Sequence, residues 1–477
     1  MGTISSAFHL ISGALNADQA ALSIVANNVA NANTTGYTEE KPNWQENSPV
    51  CINGVYNGTG VTETGATSVR DRVLLERLDQ QQQLAAASTS RLSALNTIQA
   101  LFMPDSGSAS ATAGDIGSDI TSFFNSFSSL EANPTNNAMR QEVLSAATTL
   151  AGDISNAADG LNAQRMAVDQ EAAGVIPQVN ALTGAIAQLN AQIQSTSPDG
   201  DAGVLEDQRQ QDLSQLSQLI GVNQISTENN GLSITTTSGQ TLVSEGSNNP
   251  ITSGMVNGVT HFFVGTTDIT GQLASAGGSL GGYLTARDQD IPGVLASLDQ
   301  LSYGIATAVN AQNNAGIDLN GIGGTGVNPL NPPLNIFNQP AAVAGSAAAM
   351  TVTMADPNRI AAAGPAGGAG DNSNAATLAG LSNSATVNGK SPTDFYSNFV
   401  TMLGAAVAEV QTENTAQNAS VTQLQNQNNS LSAVNLNDEA AAMQQLERSY
   451  QAASQVFTIL NTIMTSALNL GVQTAVT

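Results

Sequence analysis

The chain has 477 residues, enough for two to four domains with buried cores, but only 10% of them are charged and lysine occurs only at Lys41 and Lys390. Its 37 acidic against 12 basic residues leave a net charge of −25, which argues against nucleic acid and anionic membrane surfaces as partners. One cysteine, Cys51, excludes an intrachain disulfide or a cysteine-cluster metal site, and two histidines, His9 and His261, are too few for a histidine zinc site.

The first 25 residues carry no Lys or Arg and no unbroken apolar core, so they do not read as a secretory signal. No run approaches 18 apolar residues, so nothing is expected to span a membrane. Ile4, Phe8, Ile11, Leu15, Leu22, Val25 and Val29 follow steps of three, four and seven, which predicts a helix over about 4–32 with a heptad seam. Asp18 is the one polar residue in that seam, placed either to set register or to face solvent or another subunit. Asn33-Thr34-Thr35-Gly36 should end the helix. A polar extended stretch at 39–68 follows, in which Trp44 stands and Cys51 reads as a partly buried small residue.

Residues 70–103 read as a helix with Leu74, Leu78, Ala85, Leu92, Leu95 and Phe102 along one stripe, and a Gly/Ser/Ala/Asp linker covers 104–118. Residues 119–195 read as helical again, with a stripe of Val179, Leu182, Ile186, Leu189 and Ile193. After the turn Pro198-Asp199-Gly200, a helix over about 204–220 ends at Gly221. Stripes on successive helices imply a bundle. Between 222 and 275 the period shortens: Leu232-Ser-Ile234, Thr241-Leu-Val and His261-Phe-Phe-Val are strand-type runs broken by Gly, Asn and Ser. Helix resumes at about 287–313. The Gly-, Ala- and Pro-rich stretch 314–391 is expected to be an exposed insertion or subdomain, since a structureless segment of that length is unusual in a compact domain. Residues 393–429 return to helix.

At the C-terminus, Leu436, Met443, Leu446, Tyr450, Ala453, Phe457, Leu460, Met464 and Ala467 repeat the three/four spacing over about 436–468, with Asn437 or Asp438 as cap and Gly471 as stop. Seven seam residues at roughly 1.5–3 kcal/mol each supply about 10–20 kcal/mol of gross burial. Ordering about 29 residues costs roughly 1–2 kcal/mol apiece. The terminal helices therefore need a partner surface beyond each other, which identical subunits in head-to-tail contact could supply.

Several patterns imitate chemistry. Gly277-x-Ser279-x-Gly281 matches a nucleophile elbow without the α/β context around it. Gly321-x-Gly323-x-x-Gly326 is followed by Pro329, Pro332 and Pro333 where a dinucleotide-binding helix should begin. Ser384 stands in place of the first glycine of a phosphate loop ending Gly389-Lys390-Ser391. Asp199-x-Asp201-x-Gly203 lacks the closing glutamate of a calcium loop, Gln210 standing there. All four read as turns, so no catalytic residue, cofactor or metal ligand is expected.

The segment Asn27-Asn28-Val29-Ala30-Asn31-Ala32-Asn33-Thr34-Thr35-Gly36-Tyr37 resembles the signature of the bacterial flagellar rod, hook and hook-associated axial proteins. Val434-Asn435-Leu436 within Ser432–Glu439 resembles that family's lead-in to its C-terminal helix, and Tyr450-Gln451-Ala452-Ala453 resembles a further segment of it. Phe123-Phe124-Asn125, Asn133-Pro134-Thr135, Asp207-Gln208-Arg209, Leu219-Ile220-Gly221-Val222, Gly277–Gly282, Arg287-Asp288-Gln289, Asn310-Ala311-Gln312 and Asp318-Leu319-Asn320-Gly321 resemble the hook-associated branch that joins hook to filament, whereas 323–392 matches nothing recognisable.

The resemblance implies a mainly α fold: terminal helices 1–38 and 433–477 paired as a coiled coil, a helical rod domain at 39–221 (its 39–69 stretch extended), 276–313 and 393–432, a small β domain at 222–275, and the insertion at 314–392. It implies a structural junction ring between hook and filament, in contact with itself, the hook protein and a second junction protein on the filament side. It also implies export without a cleaved signal and a cytoplasmic chaperone at the C-terminal helix. Another axial protein, of hook or distal rod, and a surface protein or adhesin stay open as alternatives.

Overall fold

The computed structural model describes residues 2–52, 54–102, 115–197, 201–323 and 333–473. The N-terminal helix α1 (Gly2–Asn31) is followed by four short strands, β1 (Glu40–Glu46), β2 (Val50–Ile52), β3 (Val55–Asn57) and β4 (Val61–Ser68). β1 pairs antiparallel with β4 and β2 with β3, making one long hairpin arm. The arm lies along α1 through β1 and β4. Trp44 and Tyr56 stand exposed on it, and so does Cys51, contrary to its expected partial burial. A two-stranded arm has no second layer to bury its side chains.

The rod includes α2 (Arg72–Phe102), α3 (Ile116–Ala132), α4 (Asn137–Thr196), α5 (Val204–Leu219) and, further along, α8 (Ile291–Ala315). α4 spans 60 residues, ~90 Å at the α-helical rise. The expected single helix over 119–195 is broken at Asn133-Pro134, because a residue before proline avoids the helical region. Asn136 then caps α4, accepting from the Ala138 amide at 2.9 Å. The stripe predicted on α2 is buried throughout.

The β region holds a four-stranded antiparallel sheet of β5 (Val222–Ser226), β6 (Leu232–Thr236), β7 (Thr241–Ser244) and β8 (Ser247–Asn248) in chain order. A three-stranded sheet places β10 (Val259–Val264) between β9 (Ile251–Val256) and β11 (Thr267–Asp268). Asn257 and Gly258, with φ of 51° and 81°, make the tight turn between β9 and β10. Helix resumes earlier than the expected 287, with α6 (Thr270–Ala276) and α7 (Gly278–Thr285). A π-helical turn over 286–290 carries α7 into α8.

The chain closes with α9 (Ser373–Gly380), α10 (Pro392–Ser432) and α11 (Leu436–Gln473). Gly471 lies inside α11 rather than ending it, and Asn435, not Asn437 or Asp438, offers the cap, accepting from the Asn437 amide at 3.1 Å.

Two cores share α4. The first gathers its N-terminal half with α2, α3, α8 and the start of α10; the second gathers its C-terminal half with α5, α7 and the β region. The described part of the expected exposed insertion contributes to the core: Leu334, Ile336, Phe337, Met350 and Ile360 are buried in the first core. Phe337 packs its ring 5.4 Å from that of Phe123. This segment forms almost no sheet, so its backbone is satisfied by side chains of α8. Asn310 accepts from the Ile336 and Phe337 amides and donates to the Phe337 carbonyl, while Asn313 donates to Leu334 and accepts from Ala361. Arg140, fully buried, donates to the Pro134 and Ile360 carbonyls.

Candidate assembly site

The two ends of the chain meet: α1 packs against α11. Phe8 sits half-buried with its ring 4.4 Å from that of Phe457. Ile11, Leu15 and Leu22 on α1, and Met443, Leu446 and Leu460 on α11, are likewise half-buried in the pair, and Val25 is fully so. Ile4 belongs to α1, but its side chain lies outside the described residues. Val29, Leu436, Tyr450 and Met464 are exposed, so the pair within one chain does not use them.

The closest packing on α1 comes instead from Ala17, Ala21, Val25 and Asn28. A straight α-helix drifts from a strict heptad, and small alanines let a neighbouring backbone approach. Periodicity of large apolar residues could not reveal Ala17 and Ala21. Asp18 is half-buried beside Glu39, Lys41, Trp44 and Glu439, and its Oδ2 is sealed from solvent without a partner among the described residues.

The asparagine-rich signature forms one hydrogen-bonded knot centred on Asn28, which is 1% exposed. Its Nδ2 donates to the Glu40 carbonyl at 2.8 Å and to Glu439 Oε1 at 2.9 Å. Its Oδ1 accepts from the Glu40 amide at 3.0 Å and the Tyr37 hydroxyl at 2.8 Å. Asn27 donates to Tyr37, Asn31 donates back to Asn27, and Thr34 donates to Asn31. Gly36, at φ 84°, lets the chain reverse so that Tyr37 reaches back; Asn33 and Thr35 lie exposed in that turn. Burial, and then the charges of Glu40, Asp207 and Glu439, push the Tyr37 phenol up to about 12, so it stays a hydrogen-bond donor at neutral pH. Glu439, which the sequence shows only as the end of the segment Ser432–Glu439, is the partner that carries the knot across to α11.

A second joint fixes this unit to the rod. Thr38 donates its amide and hydroxyl to Asp207 at 2.9 and 2.7 Å. Arg70 pairs with Asp207 at 2.6 Å and with Glu206, which also takes Arg72 at 3.1 Å. Ser68 donates its amide and hydroxyl to Asp201. Burial raises the Asp201 pKa, but hydrogen bonds from the Gly203 and Ser68 amides and the Ser68 hydroxyl outweigh that and hold the carboxyl below its ordinary value. Asp201 is thus spent on the elbow, while Asp199 and Gly200 of the calcium-like pattern lie outside the described residues.

Residues of the remaining patterns make contacts between elements. Gly278 holds φ at 71°, with room for a Cβ blocked by the Ile220 backbone, and a Cβ on Gly282 would lie 2.2 Å from the Ala87 carbonyl oxygen. The glycine run therefore seats α7 directly on α2. Arg287, 1% exposed, pairs with Asp169 and Asp288 and donates to the Thr260 carbonyl, pinning the β region to α4. Ser391 caps α10, accepting from the Asp394 amide at 3.1 Å. Gly326 lies outside the described residues. Among the described residues, no helix is long and apolar enough to cross a membrane.

The distant chain ends are thus tied into one helical unit, which a polar elbow joins to a long helical rod. Residues 106–328 match the family described as "Flagellar hook-associated protein FlgK helical domain", and residues 11–38 match "Flagella basal body rod protein". The chain is 27% identical to "Flagellar hook-associated protein 1" of Escherichia coli (strain K12), over 96% of this chain and 98% of that protein. It is 26% identical to the protein of the same name in Bacillus subtilis (strain 168), over 96% of each. "The structure of the flagellar hook junction protein FlgK from Burkholderia pseudomallei" shares the fold at a TM-score of 0.62, with 19% identity over 74% of this chain and 99% of that one. Over almost its whole length the chain is similar to flagellar hook-associated protein 1, and it is a structural component of the bacterial flagellum.

Proposed function

We propose that the chain forms the junction ring between hook and filament, with a mechanical rather than a catalytic role. The observation that carries this is a second apolar stripe on α11. Val456, Ile459 and Ile463 recur at steps of three and four, and all are exposed although α1 already covers another face of the helix. A helix apolar on two faces needs two partners, and among the described residues one chain supplies only one of them. Identical neighbours in head-to-tail contact supply the other. The exposed Val29, Leu436, Tyr450 and Met464 add to the surface available for those contacts.

On this reading the ring meets the hook protein on one side and a second junction protein on the filament side. The chain travels unfolded through the flagellar export route, and a cytoplasmic chaperone shields the C-terminal helix until assembly. Its place of work is outside the cell, at the hook–filament junction. Electron microscopy of cells deleted for the gene, paired with a flagellin blot of the medium, tests the placement. Hooks without filaments, with flagellin lost to the medium, are the expected result. Cells lacking hooks would move the protein to the rod or hook, and intact flagella would exclude the junction.

A further inference from the structure

Beside the elbow, a cavity of about 260 Å³ lies between the start of α2, α5 and the β5–β6 turn. Arg70, Arg72 and Arg209 line it, with Glu76, Glu206 and Thr227. Arg70 and Arg72 share the Glu206 carboxylate, and Asp207 holds Arg70 as well. Arg209 has no such counter-ion. It is 8% exposed, bonds through Nη1 to Asn190 Oδ1 and the Asn230 carbonyl, both neutral and both at 2.8 Å, and makes no ion pair among the described residues. Burial first pulls its pKa down to about 10; Glu206 opposes this, and the charges of Arg72 and Arg70 add to it.

Two more polar atoms at this cavity's lining residues lack partners among the described residues: Arg70 Nε and Thr227 Oγ1, both sealed from solvent. A buried guanidinium without a counter-charge is costly, and its fork of N–H donors matches an oxyanion. Of the two carboxylates in the lining, Glu206 is already engaged by two guanidiniums and the Ala202 amide, and Glu76 is exposed and screened by solvent.

We propose that this cavity binds a small inorganic oxyanion of the phosphate or sulfate class, held by buried Arg209 within and by Arg72 at the mouth. Arg72, with its side chain 59% exposed, can turn from Glu206 toward the ligand while Arg70 keeps Glu206 in place. The bound anion then ties the start of α2, α5 and the β5–β6 turn together, stiffening the joint between the terminal unit and the rod. A net charge of −25 disfavours diffuse anion uptake elsewhere, so saturable binding reports on a built site.

The test is calorimetric titration of the full chain with sodium phosphate and, separately, sodium sulfate, against sodium chloride at equal ionic strength. One saturable site is expected for the oxyanions and none for chloride. Arg209→Gln and Arg72→Gln should each weaken it at least about tenfold, since each removes a charge-assisted contact. Should Arg209→Gln fail to fold, Arg72→Gln, altered at an exposed side chain, decides alone. No saturable uptake by the folded chain, or uptake unchanged in Arg72→Gln, overturns the proposal.

Discussion

Asn28 and Glu439 stand 411 residues apart in sequence and share a buried hydrogen bond of 2.9 Å, the amide of one donating to the carboxylate of the other. Both are almost fully enclosed. Asn28→Asp would lose two donated bonds and set a second carboxylate against Glu439. Breaking a buried charged contact in this way costs about 3–5 kcal/mol, or roughly a hundredfold or more in the opening equilibrium of the helix pair. Amide exchange in the first turns of α11 is expected to quicken accordingly, with exchange in α4 unchanged. Burial, with Glu39 and Asp438 adding and Asn28 and Lys41 opposing, raises the Glu439 pKa. The paired state therefore holds its proton more tightly than the open one, and pairing weakens as pH rises through the carboxylate range.

Asp79 on α2 makes a stronger pH prediction. Burial first pushes its carboxyl up to about 6 and Glu76 adds to that, against the opposing hydrogen bonds from Gln224 and Gln210, which both end on Oδ2. A folded-state value of about 6 against an ordinary 3.8 means the folded chain binds the proton more tightly, so stability is lost as pH rises from about 4 to about 6. The loss amounts to about 3 kcal/mol at neutral pH. Asp79→Asn should raise the neutral-pH melting temperature and flatten that slope. A variant with the wild-type slope would assign the pH dependence elsewhere.

Arg287 satisfies two carboxylates and a backbone carbonyl from the rod and the β region. Arg287→Met would leave those acceptors unpaired at a cost of about 3–5 kcal/mol. Lysine offers a point charge instead of a planar fork, so Arg287→Lys should recover only part of the loss. Urea unfolding reads the magnitude, and proteolysis at the β9–β10 turn reads whether the β region loosens first.

Gly282 faces the Ala87 carbonyl across the α2–α7 contact. Gly282→Ala should force these helices apart and destabilise the chain by about 1–3 kcal/mol, despite alanine's better helix propensity. Ser279→Ala, three residues earlier, is expected to leave stability and motility unchanged, because the Ser279 hydroxyl makes only a long 3.5 Å bond to the Leu219 carbonyl.

The helices were legible because large apolar residues repeat with helical spacing: the stripes on α2 and the second half of α4, and the seam positions of Phe8 and Phe457, follow directly from it. The strand runs at Leu232, Thr241 and His261 were legible from their shorter period. The core contributed by 333–391 was not, since Leu334, Phe337, Met350 and Ile360 have no common period and their backbone is satisfied by Asn310 and Asn313 on another helix. Nor could spacing reveal the joints at Arg70–Asp207 and Arg287–Asp169, whose members lie 137 and 118 residues apart. The asparagine signature was visible as a resemblance, but its physical meaning, an amide that clasps Glu439, needed both chain ends in place.

The most direct test of assembly through α11 is the double variant Ile459→Asp, Ile463→Asp, expressed in cells deleted for the gene. Both side chains are exposed in the single chain, 57% and 47%, so its melting temperature and helix content should match wild type. Filaments should nevertheless fail to form, with hooks left bare. Normal filaments and swimming with this stable variant would contradict the account, because the second apolar face of α11 would then have no partner to meet.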